Sequence, residues 1–201
     1  MKRRDDLVVG PKEKAKEAIK AGDTEKALAY LDDVYEQFHN LHDSYGNTQC
    51  LLMGKLAEIK GEEWLLDLET ERVYEPFRER FKKFIEMPVE DRVKAICSSQ
   101  RAHFTEFHVE EDDEKFTVVI TGCNAGGRLM RDGIAKRMKS VTKQAYPWSY
   151  NRVGFPYYCI HSFFFNKLWK ELGLKIEIIW GRQYDDDGNK IDEPCKYIFY
   201  K

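Results

Sequence analysis

Three of the five cysteines lie in the C-terminal part of the chain, each beside a feature that could make a thiol chemically useful. Cys123 precedes a Gly-Gly turn, Cys159 stands two residues before His161, and Cys195 follows a proline. A thiolate is both a nucleophile and a metal ligand, and histidine serves as a general base or a ligand. These residue types therefore predict either a cysteine nucleophile with its base or a metal site.

The turn after Cys123 is a candidate anion-binding turn. A β-forming run ends at Cys123 and a helix is predicted from Arg128, so the amides of Gly126 and Gly127 would meet at a helix start. Such amides can hold a carboxylate, a phosphate or a developing oxyanion. Arg128 adds a forked donor suited to a carboxylate. The alternative is a plain strand-to-helix turn with a buried cysteine.

Cys159 is predicted in the first turn of a helix, where the helix dipole favours a thiolate. His161 would not face Cys159 in a regular helix, but both could meet a third group at a frayed first turn, or His161 could serve Cys123. The aromatic residues around them indicate either a core or the walls of an apolar pocket. Cys195 opens the last predicted strand, and its alternative interpretation is a small core residue.

The helical half of the chain offers His42 as a further candidate. It lies on the apolar stripe of a long predicted helix, four residues after Phe38, so it is expected to face inward. The plain interpretation is a buried, hydrogen-bonded histidine. The functional one is a general base or ligand that reaches the C-terminal site. The predicted catalytic residues are Cys159, His161, Cys123 and His42, and the predicted substrate-binding residues are Gly126, Gly127, Arg128 and Cys195.

The first hundred residues have helical periodicity. Pro11 to Ala21 predicts a short helix, and Glu25 to Tyr45 predicts a long amphipathic helix that Gly46 ends. Prolines suited to a first turn predict two further helices, roughly Glu75–Glu86 and Pro88–Ser98.

Near residue 100 the hydrophobic period changes from that of a helix to that of a strand. The segments that predict strands are His103–Val109, Lys115–Thr121, Lys175–Trp180 and Cys195–Tyr200, and those that predict helices are Arg128–Thr142 and Cys159–Leu172. The expected fold is α+β, with a helical region at 1–100 packed on a region at 101–201. The second region holds an antiparallel sheet of about four strands with two helices and carries the Cys/His site, and together they form one compact unit.

The amino-acid composition and net charge argue against nucleic acid and membrane as partners. The chain of 201 residues is 42% hydrophobic and 34% charged, as in ordinary globular proteins, and its net charge of -2 argues against a nucleic-acid surface over the whole chain. No apolar stretch reaches the ~20 residues of a membrane span, and the start, Met1 to Asp6, lacks the apolar run of a secretory leader. An odd number of cysteines without a leader predicts free thiols in a reducing cytoplasm.

The order of features at the C-terminal end resembles a known family. Cys159-Ile160-His161, an aromatic helix, Gly173, a strand, a polar hairpin and Pro194-Cys195 are similar to the last part of the L-2-amino-thiazoline-4-carboxylic acid hydrolase-like proteins. Those proteins pair a cysteine before a helix with a second cysteine that opens the last strand, and His161 stands where their pattern has an acidic residue. The Gly-Gly turn after Cys123 resembles a mostly uncharacterised branch of the family. The resemblance implies hydrolytic opening of a small C–N or C–S heterocycle by a cysteine-dependent site.

Three functional hypotheses follow. The first is a cysteine-dependent hydrolase or lyase, without a cofactor, acting on a small carboxylated molecule that contains nitrogen or sulfur. The second is a zinc or iron protein, and the third is a small-ligand-binding module without catalysis. The metal ligands in the second hypothesis are Cys123, Cys159, His161 and Cys195. In each case we expect a small molecule or ion as the partner, with no nucleic acid and no membrane, and the oligomeric state is left open.

Overall fold

The computed structural model describes residues 8–185 and 187–201, with the backbone alone for residues 72–75. The basic start of the chain and Asp186 of the acidic loop lie outside the described residues. The chain forms two compact units, Met1–Tyr45 and Gly46–Lys201. The boundary between the two units falls within one helix, between Tyr45 and Gly46. The change of periodicity near residue 100 therefore does not mark the boundary between the units; it marks the first strand.

In the described part of the chain the residues before 103 form helices, and the strands lie after them, together with three further helices. The helices are α1 (Pro11–Lys20), α2 (Thr24–Lys60), α3 (Glu62–Leu68), α4 (Tyr74–Lys82), α5 (Val89–Ala102), α6 (Gly126–Arg131), α7 (Ile134–Arg137) and α8 (Ile160–Glu171). The strands are β1 (Glu106–Glu111), β2 (Lys115–Gly122), β3 (Ile176–Ile179) and β4 (Lys196–Tyr200). A π-helical turn, Glu69–Val73, joins α3 to α4, and a 3-10 turn, Tyr157–Cys159, leads into α8.

The four strands form one sheet in the order β1-β2-β4-β3, and every neighbouring pair is antiparallel. A tight turn joins β1 to β2, because the Asp112 carboxylate accepts the backbone N–H groups of Glu114 and Lys115, both at 2.9 Å. In the described part of the chain the first strand begins at Glu106. The predicted α+β fold with a four-stranded antiparallel sheet is therefore confirmed.

The core of the second unit includes side chains from α8, the sheet and helices α3 to α5. Asn166 of α8 ties this helix to the edge strand β3. Its amide donates to the carbonyl of Ile178 at 2.8 Å, and its carbonyl oxygen accepts the Ile178 N–H at 2.6 Å. The side chain thus pairs the backbone groups that an edge strand would otherwise leave open. This contact fixes α8, and with it the start of the helix near Cys159.

The prediction that Gly46 ends the long helix is wrong, since α2 continues to Lys60. A glycine inside a helix costs about 1 kcal/mol relative to alanine, but it permits close approach. A Cβ at Gly46 would lie only 3.2 Å from Nη2 of Arg128. The glycine therefore accommodates a packed arginine, and the helical pattern on either side of it carries the helix through.

The prediction that the apolar stripe of α2 faces inward is also wrong. The members of this α2 stripe are exposed, and they are Leu28, Leu31, Val34, Tyr35, Phe38, Leu41 and Tyr45. Within the described part of the first unit, the buried apolar side chains are those of Ala15, Ala18 and Ala27. A helical period shows which residues share one side of a helix, but it does not show what covers that side.

The helix predicted over Arg128–Thr142 is two short helices, α6 and α7. Gly133 interrupts them with a φ of 65°, a left-handed conformation that glycine adopts without strain. In the part of the chain that the structure describes, none of the helices combines the length and the apolar character needed to cross a membrane.

Candidate functional site

The pairing of β2 with β4 brings two of the three thiols together. Cys123 directly follows β2 and Cys195 directly precedes β4. Because antiparallel neighbours place the end of one strand beside the start of the other, these two residues meet at the same edge of the sheet. The N–H of Ile120 donates to the carbonyl of Cys195 at 2.9 Å, which extends the strand pairing to this point.

The third thiol comes from the turn that leads into α8. The Cys159 sulfur lies against the backbone of Gly126, where a Cβ would approach it to 2.3 Å. Any side chain at position 126 would therefore collide with this sulfur. The Gly-Gly turn after Cys123 thus has a steric purpose, because it makes room for Cys159.

Two adjoining cavities share the three thiols. One has a volume of about 360 Å³ and the other about 40 Å³. Cys123, Cys159, Cys195 and Trp180 border both of them. The three thiols therefore converge on one site, although they are distant in sequence. The walls of the larger cavity are mostly apolar, with aromatic side chains from Phe77, Phe81, Phe84, Tyr157, Tyr158, Phe164, Phe165, Trp169, Trp180 and Tyr197.

Gln183 holds the floor of the site in place. Its carbonyl oxygen accepts the N–H of Cys123 at 2.9 Å, and its amide donates to the carbonyl of Ile120 at 2.5 Å. This buried side chain thereby clamps the end of β2 to the segment after β3. The partners lie about 60 residues apart in sequence, so no local pattern identified Gln183.

Burial keeps the three thiols protonated at neutral pH. It raises the pKa of Cys159 well above its ordinary value, raises that of Cys195 to about 12, and raises that of Cys123. The neighbouring sulfurs raise the pKa of Cys159 further, since two negative charges would repel each other. The prediction that the helix start favours a Cys159 thiolate is therefore wrong, because burial raises the pKa of this thiol instead of lowering it.

Hydrogen-bond donors nevertheless point at each sulfur. The N–H of Gly127 donates to Cys123 Sγ at 3.3 Å, and the N–H of Gly181 donates to Cys195 Sγ at 3.2 Å. A hydrogen bond with the Trp180 side chain lowers the pKa of Cys159, partly opposing the effect of burial. These donors would stabilise a thiolate once a base had formed it.

His161 lines the larger cavity as a neutral imidazole. Its Nδ1 lies 2.7 Å from the carbonyl oxygen of Tyr158, which can only accept, so Nδ1 carries the hydrogen and Nε2 holds a lone pair. Burial lowers the pKa of His161 to about 4, so the ring is uncharged at neutral pH. In the described structure no hydrogen bond links this ring to a thiol, so a proton would pass between them through a bound molecule or water.

Of the predicted anion-binding residues, the two glycines border the cavities and the arginine lies outside them. Gly126 and Gly127 border the cavities, although the Gly127 amide is engaged by Cys123. Arg128 is buried, with Nη2 donating to the Asn47 side chain at 3.0 Å and Nε donating to the Asn124 carbonyl at 3.4 Å. It does not belong to the lining of either cavity. Arg128 therefore links α6 to α2, and, in contrast to the prediction from the sequence, it does not hold a substrate carboxylate in either cavity.

His42 lies in the first unit, where its Nδ1 is 3.1 Å from a carboxylate oxygen of Asp43. Its role as a base or ligand stays a prediction. Among the described residues, no group of three or more His, Cys, Asp or Glu side chains is arranged to hold a metal ion. The geometry thus gives no support to direct ligation of zinc or iron by Cys123, Cys159, His161 and Cys195.

A buried carboxylate that the sequence did not single out supports one wall of the site. Glu62 at the start of α3 accepts hydrogen bonds from the hydroxyls of Tyr157 at 2.6 Å and Tyr146 at 2.7 Å, and from the N–H of Lys143 at 2.7 Å. The hydrogen bond that the Tyr146 hydroxyl donates to Glu62 raises the pKa of Tyr146 to about 12, because ionisation would remove the donor. This network anchors the segment before α8 to the helical part of the second unit.

Comparisons with protein-family models, with curated proteins and with solved structures each find no match to this chain. The resemblance to the L-2-amino-thiazoline-4-carboxylic acid hydrolase-like proteins therefore stays a prediction.

Proposed function

We propose that the protein is a cysteine-dependent hydrolase or lyase acting on a small carboxylated molecule that contains nitrogen or sulfur, similar to L-2-amino-thiazoline-4-carboxylate hydrolase. One observation carries the proposal: three thiols and a neutral histidine line the same cavity of about 360 Å³. A cavity of this size suits a small molecule, and convergent polar groups in an apolar pocket are typical of active sites.

In the proposed reaction Cys159 is the nucleophile and His161 is the base, with Cys123 as the alternative nucleophile. The Nε2 of His161 takes the thiol proton through the bound substrate or a water, and the sulfur adds to the electrophilic carbon of the heterocycle. The bond from that carbon to ring nitrogen or sulfur breaks as the leaving atom receives the proton. Water then attacks the same carbon, and Cys159 departs as a thiol. The net change is the addition of one water.

The raised thiol pKa values fit a nucleophile that is formed only when a substrate is present. A buried thiol is a poor nucleophile at rest, since the thiolate is the reactive form. A substrate that displaces water and brings His161 into contact supplies the route for the proton, and the hydrogen bond with Trp180 favours the resulting thiolate. Reactivity toward small solutes would thereby be low in the empty site.

A second candidate function is the binding of a small ligand without catalysis. The observation in its favour is that aromatic walls surround thiols that burial keeps protonated. In this function Cys159 and His161 would contribute shape and polarity to the pocket, and neither would react.

The test is turnover of L-2-amino-thiazoline-4-carboxylate, followed by mass spectrometry as the gain of one water. We expect the wild type to open the ring and Cys159→Ala to lose at least ~100-fold in kcat/KM, the scale expected for removal of a nucleophile. Cys97→Ala is the matched control, because Cys97 is a buried cysteine that does not line the cavity, and it should keep its activity. Binding without turnover by the wild type would favour the second candidate. Equal activity in both variants would contradict Cys159 as the nucleophile.

A further inference from the structure

The larger cavity holds two opposite charges that the proposed chemistry does not use. Glu69 begins the π-helical turn between α3 and α4, and Arg80 lies near the end of α4. Both line the cavity. Within the described structure neither side chain forms a hydrogen bond or an ion pair with another residue. Among the described lining residues, these are the one carboxyl and the one guanidinium.

The surroundings of Glu69 point to a ligand. The residue is partly buried, and this burial alone raises the pKa of its carboxyl. A polar group removed from water without a partner costs free energy, which a ligand can restore by supplying the partner. Wide helical turns of this kind are frequent at functional sites, and this one places a carboxyl beside aromatic walls. Arg80 is exposed, so the cavity opens to solvent on its side.

We propose, building on the proposed function, that the cavity binds an amphoteric ring compound through these two charges. Glu69 accepts a hydrogen bond from a protonated or N–H-bearing nitrogen of the ligand, and Arg80 binds its carboxylate. The aromatic walls contact the ring. The ligand class is therefore an amino acid with a ring side chain, or a heterocycle that carries both an amine-type nitrogen and a carboxylate. This assigns to Arg80 the carboxylate recognition that Arg128 does not perform.

Calorimetric titration with three small probes tests this assignment without any turnover. The probes are L-phenylalanine, which has both charges, phenethylamine, which has only the amine, and 3-phenylpropionate, which has only the carboxylate. We expect L-phenylalanine to bind roughly tenfold or more tightly than either single-charge probe, because each charge-assisted contact adds to the affinity. Glu69→Gln should weaken the two amine probes, and Arg80→Gln should weaken the two carboxylate probes.

Glu79→Gln is the matched control, since Glu79 is an exposed residue of α4 that pairs with Lys82 and does not line the cavity. It should leave all three affinities unchanged. The assignment is overturned if no probe binds, or if Glu69→Gln and Arg80→Gln bind every probe as the wild type does. Probe binding that follows the two charges in a protein that hydrolyses nothing would uphold this assignment while rejecting the proposed hydrolase.

Discussion

Gly126→Ala is the sharpest probe of the thiol site, because one added carbon would meet one named atom. The new Cβ would lie 2.3 Å from Cys159 Sγ, and the next contact, with the Tyr158 ring, is an ordinary one at 3.9 Å. The φ of Gly126 is not in the left-handed region, so alanine can adopt the backbone conformation. The substitution therefore isolates a steric clash with the sulfur.

The expected cost follows from that distance. The sulfur would have to withdraw by about 1 Å to reach the 3.4 Å of an ordinary contact. Overpacking of this kind costs roughly 1–3 kcal/mol in a well-packed interior. Alanine is favoured over glycine in a helix by up to about 1 kcal/mol, so part of the cost is offset. We expect a net loss of about 1–2 kcal/mol in the free energy of unfolding.

A double-mutant cycle separates the clash from other effects. In Cys159→Ala the sulfur is absent, so Gly126→Ala should be neutral or stabilising there. The coupling between the two substitutions should be about 2 kcal/mol, within the range for residues in direct contact. Urea unfolding of the four proteins measures it. Equal losses in both backgrounds would refute the reasoning that Cys159 lies against Gly126.

Three further predictions concern the groups around the site. Glu62→Gln should lower the free energy of unfolding by roughly 1.5–3 kcal/mol in urea, since it removes a charged acceptor from three hydrogen bonds, while Glu63→Gln at the exposed neighbour should have little effect. Because burial lowers the pKa of His161 from 6.5 to about 4, the unfolded chain binds a proton in that window that the folded protein does not. Stability should therefore fall as the pH drops from 6.5 to 4, by roughly 3 kcal/mol, and His161→Asn should lack this component; identical pH profiles would contradict it. With a pKa of about 12 instead of 9.0, Cys195 has about 1000-fold less thiolate at pH 8 than an unfolded chain. Because a more basic thiolate reacts faster, its alkylation should be roughly 100-fold slower in the native protein than in urea, and a ratio below about ten would contradict the burial.

The sequence predicted helices and strands correctly where the local residue pattern determines them. Alternating residues after His103 predicted strands, and the helix predicted over Cys159–Leu172 is observed as α8, which ends at Glu171. Gly46 was misread because its neighbour in space, Arg128, is distant in sequence, and the reason for a glycine at that point is a contact rather than a helix end.

The site was predicted in part for a similar reason. Placement at the ends of strands and helices brought the three thiols together, since strand pairing determines which ends meet. The protonation of Cys159 depends on how much of the chain covers it, and no local pattern reports that burial. Glu69 was missed because an ordinary glutamate in a helical segment looks like a solvated residue until the cavity beside it is known.

The common cavity means that the three cysteines cannot be counted independently in a labelling experiment. A bulky maleimide on any one of them would fill much of the space and shield the other two, so the protein would show a single modifiable cysteine there. A small oxidant such as hydrogen peroxide would leave room for successive reactions. The apparent thiol stoichiometry of this protein should therefore depend on the size of the reagent, and the first cysteine to react would protect the rest.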